Sequence, residues 1–286
     1  MATPPSALIG GMVKQSSQAY LMESPDEALR LDIKTDPDSL HKQALWCGVK
    51  PGLRVLDLGC GVGKTSFLLH EMVQPAGSIV GIDYSSARID YARKHYGGKA
   101  GIDFLVHDLT QPFNDIGLFD IIWVRFVLEY FRHESPAIVN NLKKLLKPGG
   151  YLCLLDLDYN CLSHYELPAD FADLLPKLMA QLDREYNFDA YAGRKLYSYL
   201  YDTGYGNIQM ELMAHHMIYG AAKDVDIFNW MKKLEVAGSR LREFLNCYRG
   251  GYEAFFSDFN KFFLDPRRFT YTPLILCKGM RPLSDG

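Results

Sequence analysis

Residues 55–66 read VLDLGCGVGKTS, a short apolar run that passes directly into three closely spaced glycines. An apolar run of this length predicts a buried β-strand, and the segment KTSFLLHEMV that follows predicts a helix. A strand, a glycine-rich loop and a helix in this order commonly hold a ligand at the carboxyl end of the strand. The class of ligand depends on how the glycines are spaced.

Two familiar nucleotide-binding loops do not fit this spacing. A phosphate-binding loop needs a glycine five positions before the glycine of Gly-Lys-Thr. Counting back from Gly63 reaches Leu58, so the first glycine is missing and the Gly-Lys-Thr sequence is interpreted as coincidence. A dinucleotide loop needs Gly-x-Gly-x-x-Gly, and Ser66 stands where its third glycine belongs after Gly61 and Gly63.

The chain around the loop alternates strands and helices. Helical segments separate most of the apolar runs, and short strands that alternate with helices predict a parallel sheet covered by helices on both faces. We therefore expect an α/β fold with a doubly wound, mostly parallel seven-stranded sheet and helical additions that form a lid. The predicted strands are RVLDLG, GSIVGID, IDFLVHD, FDIIWVRFVL, YLCLLDLD, NIQMELMAHHMIYG and TYTPLILCKGM.

The pattern that fits the loop is Asp57-x-Gly59-x-Gly61-x-Gly63, which resembles the first motif of the class I S-adenosylmethionine (SAM)-dependent methyltransferases. Further matches follow in order: aspartates at the ends of the second and third strands, the apolar fourth strand, and Lys-Pro-Gly-Gly before the fifth. The segment AFFSDFNKFFLDPRRFTYTPLILCKGMRP resembles the end of small-molecule methyltransferases of ubiquinone and menaquinone biosynthesis. The resemblance implies a Rossmann-like fold, SAM as cofactor and a small-molecule methyl acceptor.

The resemblance also implies which residues bind the cofactor. Glycines let the loop pass close under the amino-acid part of SAM, and the amides at the start of the next helix suit its carboxylate. In the family, the aspartate before the glycines lies near the methionine part. The aspartate at the end of the second strand, 20 residues after Gly63, binds the ribose hydroxyls, and neighbours of the third strand contact adenine. The candidate set at these positions is Asp57, Gly59, Cys60, Gly61, Gly63, Asp83, Tyr84, His107, Asp108 and Leu109; packing away from the ligand is the alternative for His107. Arg125 is added because a charge directly after an apolar strand is expected to border the cofactor or the substrate.

Three residues are candidates for the chemistry. Methyl transfer from a sulfonium is a one-step displacement, so a general base is needed only when the acceptor must lose a proton. Arg125 directly follows an apolar strand, where a charge is unusual; the alternative is a salt bridge to a helix acid. His164 follows the fifth strand, and the alternative is a solvated loop histidine. His216 stands beside His215 in a predicted strand, so the two rings are expected on opposite faces, one of them toward the pocket.

The N-terminal segment supplies two further candidates. In related small-molecule enzymes an N-terminal helix closes over the cofactor, and a tyrosine or arginine there holds the methionine carboxylate. By that analogy Tyr20 and Arg30 are candidate cofactor-binding residues, and the alternative is a solvated helix face. Cap sequences at Ser24-Pro25 and Asp36-Pro37 predict the starts of two helices.

The chain is divided into three predicted parts. Residues 1–45 form an N-terminal helical lid segment, and residues 46–160 form the SAM-binding core. Residues 161–286 complete the sheet and insert helical segments that cap the substrate.

Composition limits the other function classes. The net charge of −3 and the absence of an Asn/Asp-Pro-Pro-aromatic motif after the fourth strand argue against a nucleic-acid partner. The six cysteines show no zinc spacing, so no metal is expected, and free thiols suit a cytoplasmic location. No apolar run reaches the roughly 18–20 residues of a membrane span. Methylation of a protein or nucleic acid, and a non-catalytic SAM-binding module, stay open as alternatives; the atom that is methylated and the oligomeric state are undetermined.

Overall fold

The computed structural model describes residues 21–22, 27–113 and 115–284. Within these residues eight strands form one sheet. Their bounds are β1 (Arg54–Leu58), β2 (Ser78–Asp83), β3 (Ile102–Val106), β4 (Phe119–Arg125), β5 (Leu146–Leu157), β6 (His164–Tyr165), β7 (Gly206–Tyr219) and β8 (Phe269–Met280).

The strand order creates a crevice at one edge of the sheet. Strands β3, β2, β1, β4 and β5 lie side by side and run parallel, and β8 runs antiparallel between β5 and β7. The two-residue β6 pairs with the first residues of β8. The predicted doubly wound, mostly parallel sheet of seven strands is confirmed, with β6 as a short addition. Because the order reverses at β1, between β2 and β4, a crevice opens beyond the carboxyl ends of these strands.

Nine α-helices lie in the described part of the chain, and none of them combines the length and apolar character that a bilayer span needs. The start of the second helix is confirmed, because the Asp36 carboxylate accepts a hydrogen bond from the Ser39 amide at 3.1 Å. The predicted cap at Ser24-Pro25 lies outside the described residues. The helices are α1 (Glu27–Lys34), α2 (Pro37–Cys47), α3 (Lys64–Val73), α4 (Ser86–Tyr96), α5 (Ser135–Leu142), α6 (Ala169–Tyr186), α7 (Leu196–Asp202), α8 (Asp224–Arg240) and α9 (Gly251–Leu264).

The central strands are buried on both faces, which explains their continuous apolar sequences. Val55 of β1 packs in a cluster with α2, α3 and α4, whereas its neighbour Leu56 packs in a second cluster with α5 and α7. The same alternation repeats in β4, where Trp123 joins the first cluster and Ile122 the second. Helices on both faces therefore fix the sheet and the positions of its strand ends.

A third apolar cluster is formed mostly by the second half of the chain. Helices α6, α8 and α9, which we call the cap, bring together the rings of Phe171, Trp230, Phe255 and Phe259. These helices lie in the segment predicted to cap the substrate. The three-part division of the chain at residues 45 and 160 stays a prediction.

A bulge in β7 corrects one sequence expectation. The pairing of β7 with β8 shifts between His215 and Ile218, and His216 has a positive φ of 52°. The rings of His215 and His216 stack with their centroids 3.7 Å apart. The prediction that these two rings lie on opposite faces is wrong, because the bulge interrupts the alternation of side chains along the strand.

Candidate active site

A cavity of about 720 Å³ lies beyond the carboxyl ends of β1, β2, β3 and β4. One side follows β1, β2 and β3, and the other follows β4 and the end of α6. Arg125 lies between the two sides, at the end of β4. We call the first side the loop wall, with Gly59, Gly61, Asp83, Tyr84, Asp108 and Leu109, and the second side the cap wall, with Phe126, Tyr130, Phe131, Glu134, Tyr186 and Asn187.

Two glycines determine the path of the β1–α3 loop. Gly59 and Gly63 have φ values of 75° and 86°, which favour glycine. A Cβ atom on Gly59 would lie 2.4 Å from Cγ2 of Val127, and one on Gly63 would lie 2.7 Å from Cβ of Ala92. Gly59 therefore lets the loop pack against the segment after β4. Gly63 lets α3 pack against α4, and it does not line the cavity.

Asp83 joins the loop to the end of β2. Its Oδ2 atom accepts a hydrogen bond from the Gly61 amide at 3.0 Å, and its Oδ1 atom accepts one from the Ser85 amide at 3.0 Å. The Nε atom of Arg88 lies 3.6 Å from Oδ1. The Asp83 carboxylate is therefore held in one orientation at the surface of the cavity, where it can accept hydrogen bonds from a pair of hydroxyl groups.

An apolar surface lies next to this carboxylate. The side chains of Tyr84 and Val106 are 46% and 47% exposed and line the cavity, and the buried Leu109 lines it as well. Asp108 borders the same surface, and its Oδ1 atom accepts hydrogen bonds from the Thr110 amide and hydroxyl at 2.9 and 2.8 Å. An exposed tyrosine and valine beside a fixed carboxylate suit a flat ring that carries a hydrogen-bond donor.

His107 and Cys60 also line the cavity. The His107 ring lies 4.5 Å from the Phe113 ring, and its Nε2 atom lies 3.3 Å from the Gln111 carbonyl oxygen. His107 thus both packs against its own loop and borders the cavity. Burial raises the pKa of the Cys60 thiol well above its usual value, so Cys60 remains a neutral thiol at neutral pH.

Asp57 lies behind the loop and does not line the cavity. Its side chain is buried within β1, and its Oδ2 atom accepts a hydrogen bond from the Ser66 hydroxyl at 2.6 Å. Burial raises the pKa of Asp57 to about 7, while the Ser66 hydrogen bond and the charge of Arg125 lower it. Asp57 is therefore placed to hold the start of α3 and to act on the cavity through the loop.

Arg125 lines the cavity and contacts α2 and its own neighbour Phe126. Its Nε atom donates a hydrogen bond to Oε1 of Gln43 at 2.9 Å, and its guanidinium lies 4.1 Å from the centre of the Phe126 ring. Burial lowers the pKa of Arg125 to about 10 and the Asp57 carboxylate raises it, so Arg125 is a cation at neutral pH. Phe126 has a φ of 58°, a strained conformation for an aromatic residue, which turns the chain from β4 onto the cap wall.

Helix α1 closes one side of the cavity. Arg30 lines the cavity and is buried, and its Nε and Nη2 atoms donate to the two carboxylate oxygens of Glu27 at 2.7 Å each. The Lys64 ammonium donates a hydrogen bond to the Asp32 carbonyl oxygen, so the start of α3 holds α1 in place. The other N-terminal candidate, Tyr20, lies outside the described residues.

The structure does not bring either predicted catalytic histidine to the cavity. The His164 ring packs among aromatic rings of the cap, with Nδ1 at 2.8 Å from the Thr270 hydroxyl and Nε2 at 3.2 Å from the Cys161 carbonyl oxygen. Burial lowers the pKa of His164 to about 4. His216 lies in the bulge of β7. We therefore remove His164 and His216 from the candidate site, because one is fixed by cap packing and the other by the distorted strand.

Much of the cap wall carries no sequence signal. The Oε2 atom of Glu134 accepts a hydrogen bond from the Nδ2 atom of Asn187 at 2.6 Å, across 53 positions of the chain. Glu134 follows β4, so its position after a strand end could have indicated a site residue. Tyr186 and Asn187 end α6, and only the packing of that helix brings them to the cavity.

The loop wall fits SAM by the chemistry of its groups. A fixed carboxylate beside an apolar surface suits a nucleoside, and a glycine loop before the amides of α3 suits an amino-acid carboxylate. The fold and the site together define an α/β protein whose β1–α3 loop suits a nucleoside-bearing cofactor.

The chain belongs to a family described as methyltransferase domain, whose model matches residues 49–231, more than half of the chain. The chain is similar to phosphoethanolamine N-methyltransferase 3 of Arabidopsis thaliana, at 35% identity over 130 residues, which are 45% of this chain and 25% of that protein. It is also similar to demethylmenaquinone methyltransferase of Lactococcus lactis, at 30% identity over 148 residues, 48% of this chain and 57% of that protein. The matched part of the chain thus spans about a quarter of the length of the first relative and a little more than half of the length of the second.

Solved structures share the fold. A phosphoethanolamine N-methyltransferase 2 of Haemonchus contortus, with phosphomonomethylethanolamine and S-adenosylhomocysteine bound, matches with a TM-score of 0.54 at 16% identity, over 86% of this chain and 52% of that chain. A cyclopropane synthase of Mycobacterium tuberculosis matches with a TM-score of 0.55 at 16% identity, over 92% of this chain and 96% of that chain. The predicted class, a SAM-dependent methyltransferase of Rossmann-like fold, and the predicted cofactor are confirmed.

Proposed function

We propose that this protein transfers the methyl group of SAM to a small-molecule acceptor by in-line displacement. The observation that carries the proposal is the single cavity that joins the loop wall to the cap wall. Its volume of about 720 Å³ is in the usual range for small-molecule sites. A cofactor on the loop wall would leave the cap wall, with its aromatic side chains, for a second molecule.

The loop wall residues would hold the cofactor, which supplies a methyl group activated by a positively charged sulfur. Asp83 would accept hydrogen bonds from the ribose hydroxyls, and Tyr84, Asp108 and Leu109 would surround the adenine. The Gly59–Gly61 turn, with Cys60, would lie under the amino-acid part. Arg30 is placed to hold its carboxylate, and Tyr20 stays a prediction.

The contribution of the chain to the reaction is mainly positioning. Holding two reactants in a productive orientation lowers the barrier by up to roughly 7–11 kcal/mol in model reactions. The rings of Phe126, Tyr130 and Tyr186 would keep water from the reacting centre. Arg125, between the two walls, is proposed as the cation that orients the acceptor or the loop. No histidine is assigned as base, since neither predicted one lines the cavity.

The proposal of a small-molecule acceptor has support from the relatives. One is named for phosphoethanolamine and another for demethylmenaquinone, both small molecules. The sequence arguments against a nucleic-acid partner agree with this choice. A cytoplasmic location is part of the proposal, and the free thiols of all six cysteines support it.

The test is transfer from SAM that carries a deuterated methyl group to a panel of amines, phenols, thiols and quinols. We expect S-adenosylhomocysteine and a deuteromethylated product with at least one small molecule, and neither with the Asp83→Ala variant. Transfer only to an added protein or nucleic acid would replace the proposed acceptor class. SAM binding without transfer to any compound or macromolecule would identify a non-catalytic module and contradict the proposal.

A further inference from the structure

The cap wall differs from the rest of the cavity in its charged groups. The charged side chains Arg30, Lys64, Asp83, Arg88, Asp108 and Arg125 line the loop wall or the border between the walls. On the cap wall, Glu134 is the one charged residue among the described lining residues. The rings of Tyr130, Phe131 and Tyr186 line the same wall. A second molecule there meets rings and one carboxylate.

Glu134 is held in place by Asn187, which forms hydrogen bonds with three consecutive residues, 132–134. Asn187 ends α6 in the left-handed conformation, with φ 56°, and is buried. Its carbonyl oxygen accepts a hydrogen bond from the Arg132 amide at 3.2 Å, and its Oδ1 atom accepts one from the His133 amide at 3.1 Å. Its Nδ2 atom then donates to Glu134 at 2.6 Å. The carboxylate therefore keeps one position at the cavity surface.

The charge of Glu134 is not neutralised by nearby cations. Arg132 pairs with Asp183, and Lys195 pairs with Asp189. Among the described residues, no lysine or arginine forms a salt bridge with Glu134; its contact is with the neutral amide of Asn187.

The aromatic rings supply a second attraction for positive charge. Tyr130, Phe131 and Tyr186 line the cavity near Glu134, and the faces of such rings attract cations. The guanidinium of Arg240 lies 5.9 Å from the centre of the Tyr186 ring, and Arg240 does not line the cavity. An anionic or uncharged polar group would gain little from this combination of rings and one unneutralised carboxylate.

We infer that the cap wall binds a positively charged amine group, so that the methyl acceptor of the proposed function is an amine. The inference rests on that function, because it assigns the cap wall to the acceptor. The recognising groups are the Glu134 carboxylate, fixed by Asn187, and the rings of Tyr130, Phe131 and Tyr186. A primary or secondary ammonium group would meet the same charge and the same rings as a quaternary ammonium ion. It would first give one proton to the Glu134 carboxylate, which frees the nitrogen lone pair to form the bond to the methyl group, while the electron pair of the broken methyl–sulfur bond stays on sulfur.

The test compares choline with 3,3-dimethylbutan-1-ol, which has the same shape without the charge. Calorimetry is done on the whole protein saturated with S-adenosylhomocysteine. We expect choline to bind at least tenfold more tightly than the neutral alcohol. Glu134→Gln, whose side chain retains an oxygen for Asn187, is expected to remove most of this preference, and Asp173→Asn on the exposed face of α6 is expected to leave it unchanged.

The aromatic part of the inference has its own variants. Tyr186→Phe retains the ring and is expected to retain the preference for choline, whereas Tyr186→Leu is expected to reduce it severalfold. If choline binds no better than the alcohol, or neither binds, while S-adenosylhomocysteine binds normally, the inference is overturned and the proposed function stands. If the wild-type protein does not bind S-adenosylhomocysteine, the proposed function fails and the inference fails with it.

Discussion

The loop wall and the cap wall of the cavity are built in different ways. The loop wall takes its residues from the ends of three adjacent parallel strands, between positions 59 and 111. The cap wall joins residues 126–134 to residues 186–187, which meet through the hydrogen bonds of Asn187 with residues 132–134, more than fifty positions away in the chain. Strand ends repeat from one βα unit to the next, so the loop wall is encoded locally, whereas the cap wall depends on how one helix packs.

This difference suits two kinds of ligand. A cofactor shared by a whole family can be held by main-chain amides and a strand-end carboxylate, which the sheet itself positions. An acceptor particular to one protein needs side chains that vary without disturbing the sheet. Part of the cap wall satisfies this need, because Tyr130 and Tyr186 pack against the separate apolar cluster that includes α6, α8 and α9.

The largest effect is expected from a substitution in the loop wall. Asp83→Ala removes the carboxylate assigned to two ribose hydroxyls, and charge-assisted hydrogen bonds are worth about 1.5–3 kcal/mol each. We expect the affinity for S-adenosylhomocysteine, measured by calorimetry, to fall by about 100-fold or more. Asp90→Ala, at an exposed position of α4, is the control and should change nothing. Equal affinities of the two variants would contradict the assignment of Asp83.

A second prediction concerns His164, which packs among the aromatic rings of the cap and does not line the cap wall. The His164 pKa is about 4 in the folded protein and about 6.5 in the unfolded chain, so only the unfolded chain gains the proton between these values. The free energy of unfolding should therefore fall as the pH drops from 6.5 toward 4, by about 3 kcal/mol from this residue. Denaturant titrations at several pH values measure it.

The matched variants for this prediction are His164→Gln and His95→Gln, the latter at an exposed position of α4. The His164 variant should lose this part of the pH dependence and keep its rate of methyl transfer within about threefold, because His164 does not line the cavity. The His95 variant should retain the part of the pH dependence that is assigned to His164. A large loss of transfer rate at unchanged stability in His164→Gln would return His164 to the site.

A third prediction tests the contact between the two walls. A Cβ atom on Gly59 would lie 2.4 Å from Val127, whereas one on Gly48, at a similar positive φ, would have no atom within 4 Å. Gly48→Ala should therefore cost about 1 kcal/mol of stability from backbone strain alone. Gly59→Ala should cost about 2 kcal/mol more, because the clash is added. Equal melting temperatures of the two variants would show that the walls are not in tight contact.

The smallest expected effect concerns Lys64. Its ammonium group donates to a carbonyl oxygen of α1, and the loop lacks the first glycine of a phosphate-binding motif. Lys64→Ala should change the affinity for S-adenosylhomocysteine by less than about threefold in the same calorimetric measurement. A loss larger than that of Asp83→Ala would revive the phosphate-loop interpretation of this sequence.

The sequence was sufficient for the sheet and for the residues at its strand ends. Gly59, Gly61, Asp83 and Asp108 all lie at the cavity, because the spacing of a βα unit fixes where a strand stops. Asp57 was predicted beside the cofactor and lies behind the loop, bonded to a residue of α3. The sequence motif shows that an acid is present there, but the direction of its side chain depends on the packing of that helix.

The structure of β7 and of the cap could not be predicted from the sequence in the same way. The bulge of β7 places two adjacent histidine rings together, and nothing in the sequence around them signals a positive φ at His216. His164 was a reasonable base by position, but aromatic residues from α8 and α9, more than sixty positions later, enclose its ring. Glu134 reaches its orientation only through Asn187. Each of these features depends on contacts between distant parts of the chain.

The most direct test of the central claim is calorimetric titration of the wild-type protein with S-adenosylhomocysteine, ATP and NAD in parallel. If the β1–α3 loop and Asp83 hold the nucleoside of SAM, S-adenosylhomocysteine will bind with one site per chain and the other two will bind at least 100-fold more weakly. Tight binding of ATP or NAD, with no heat from S-adenosylhomocysteine, would contradict the account.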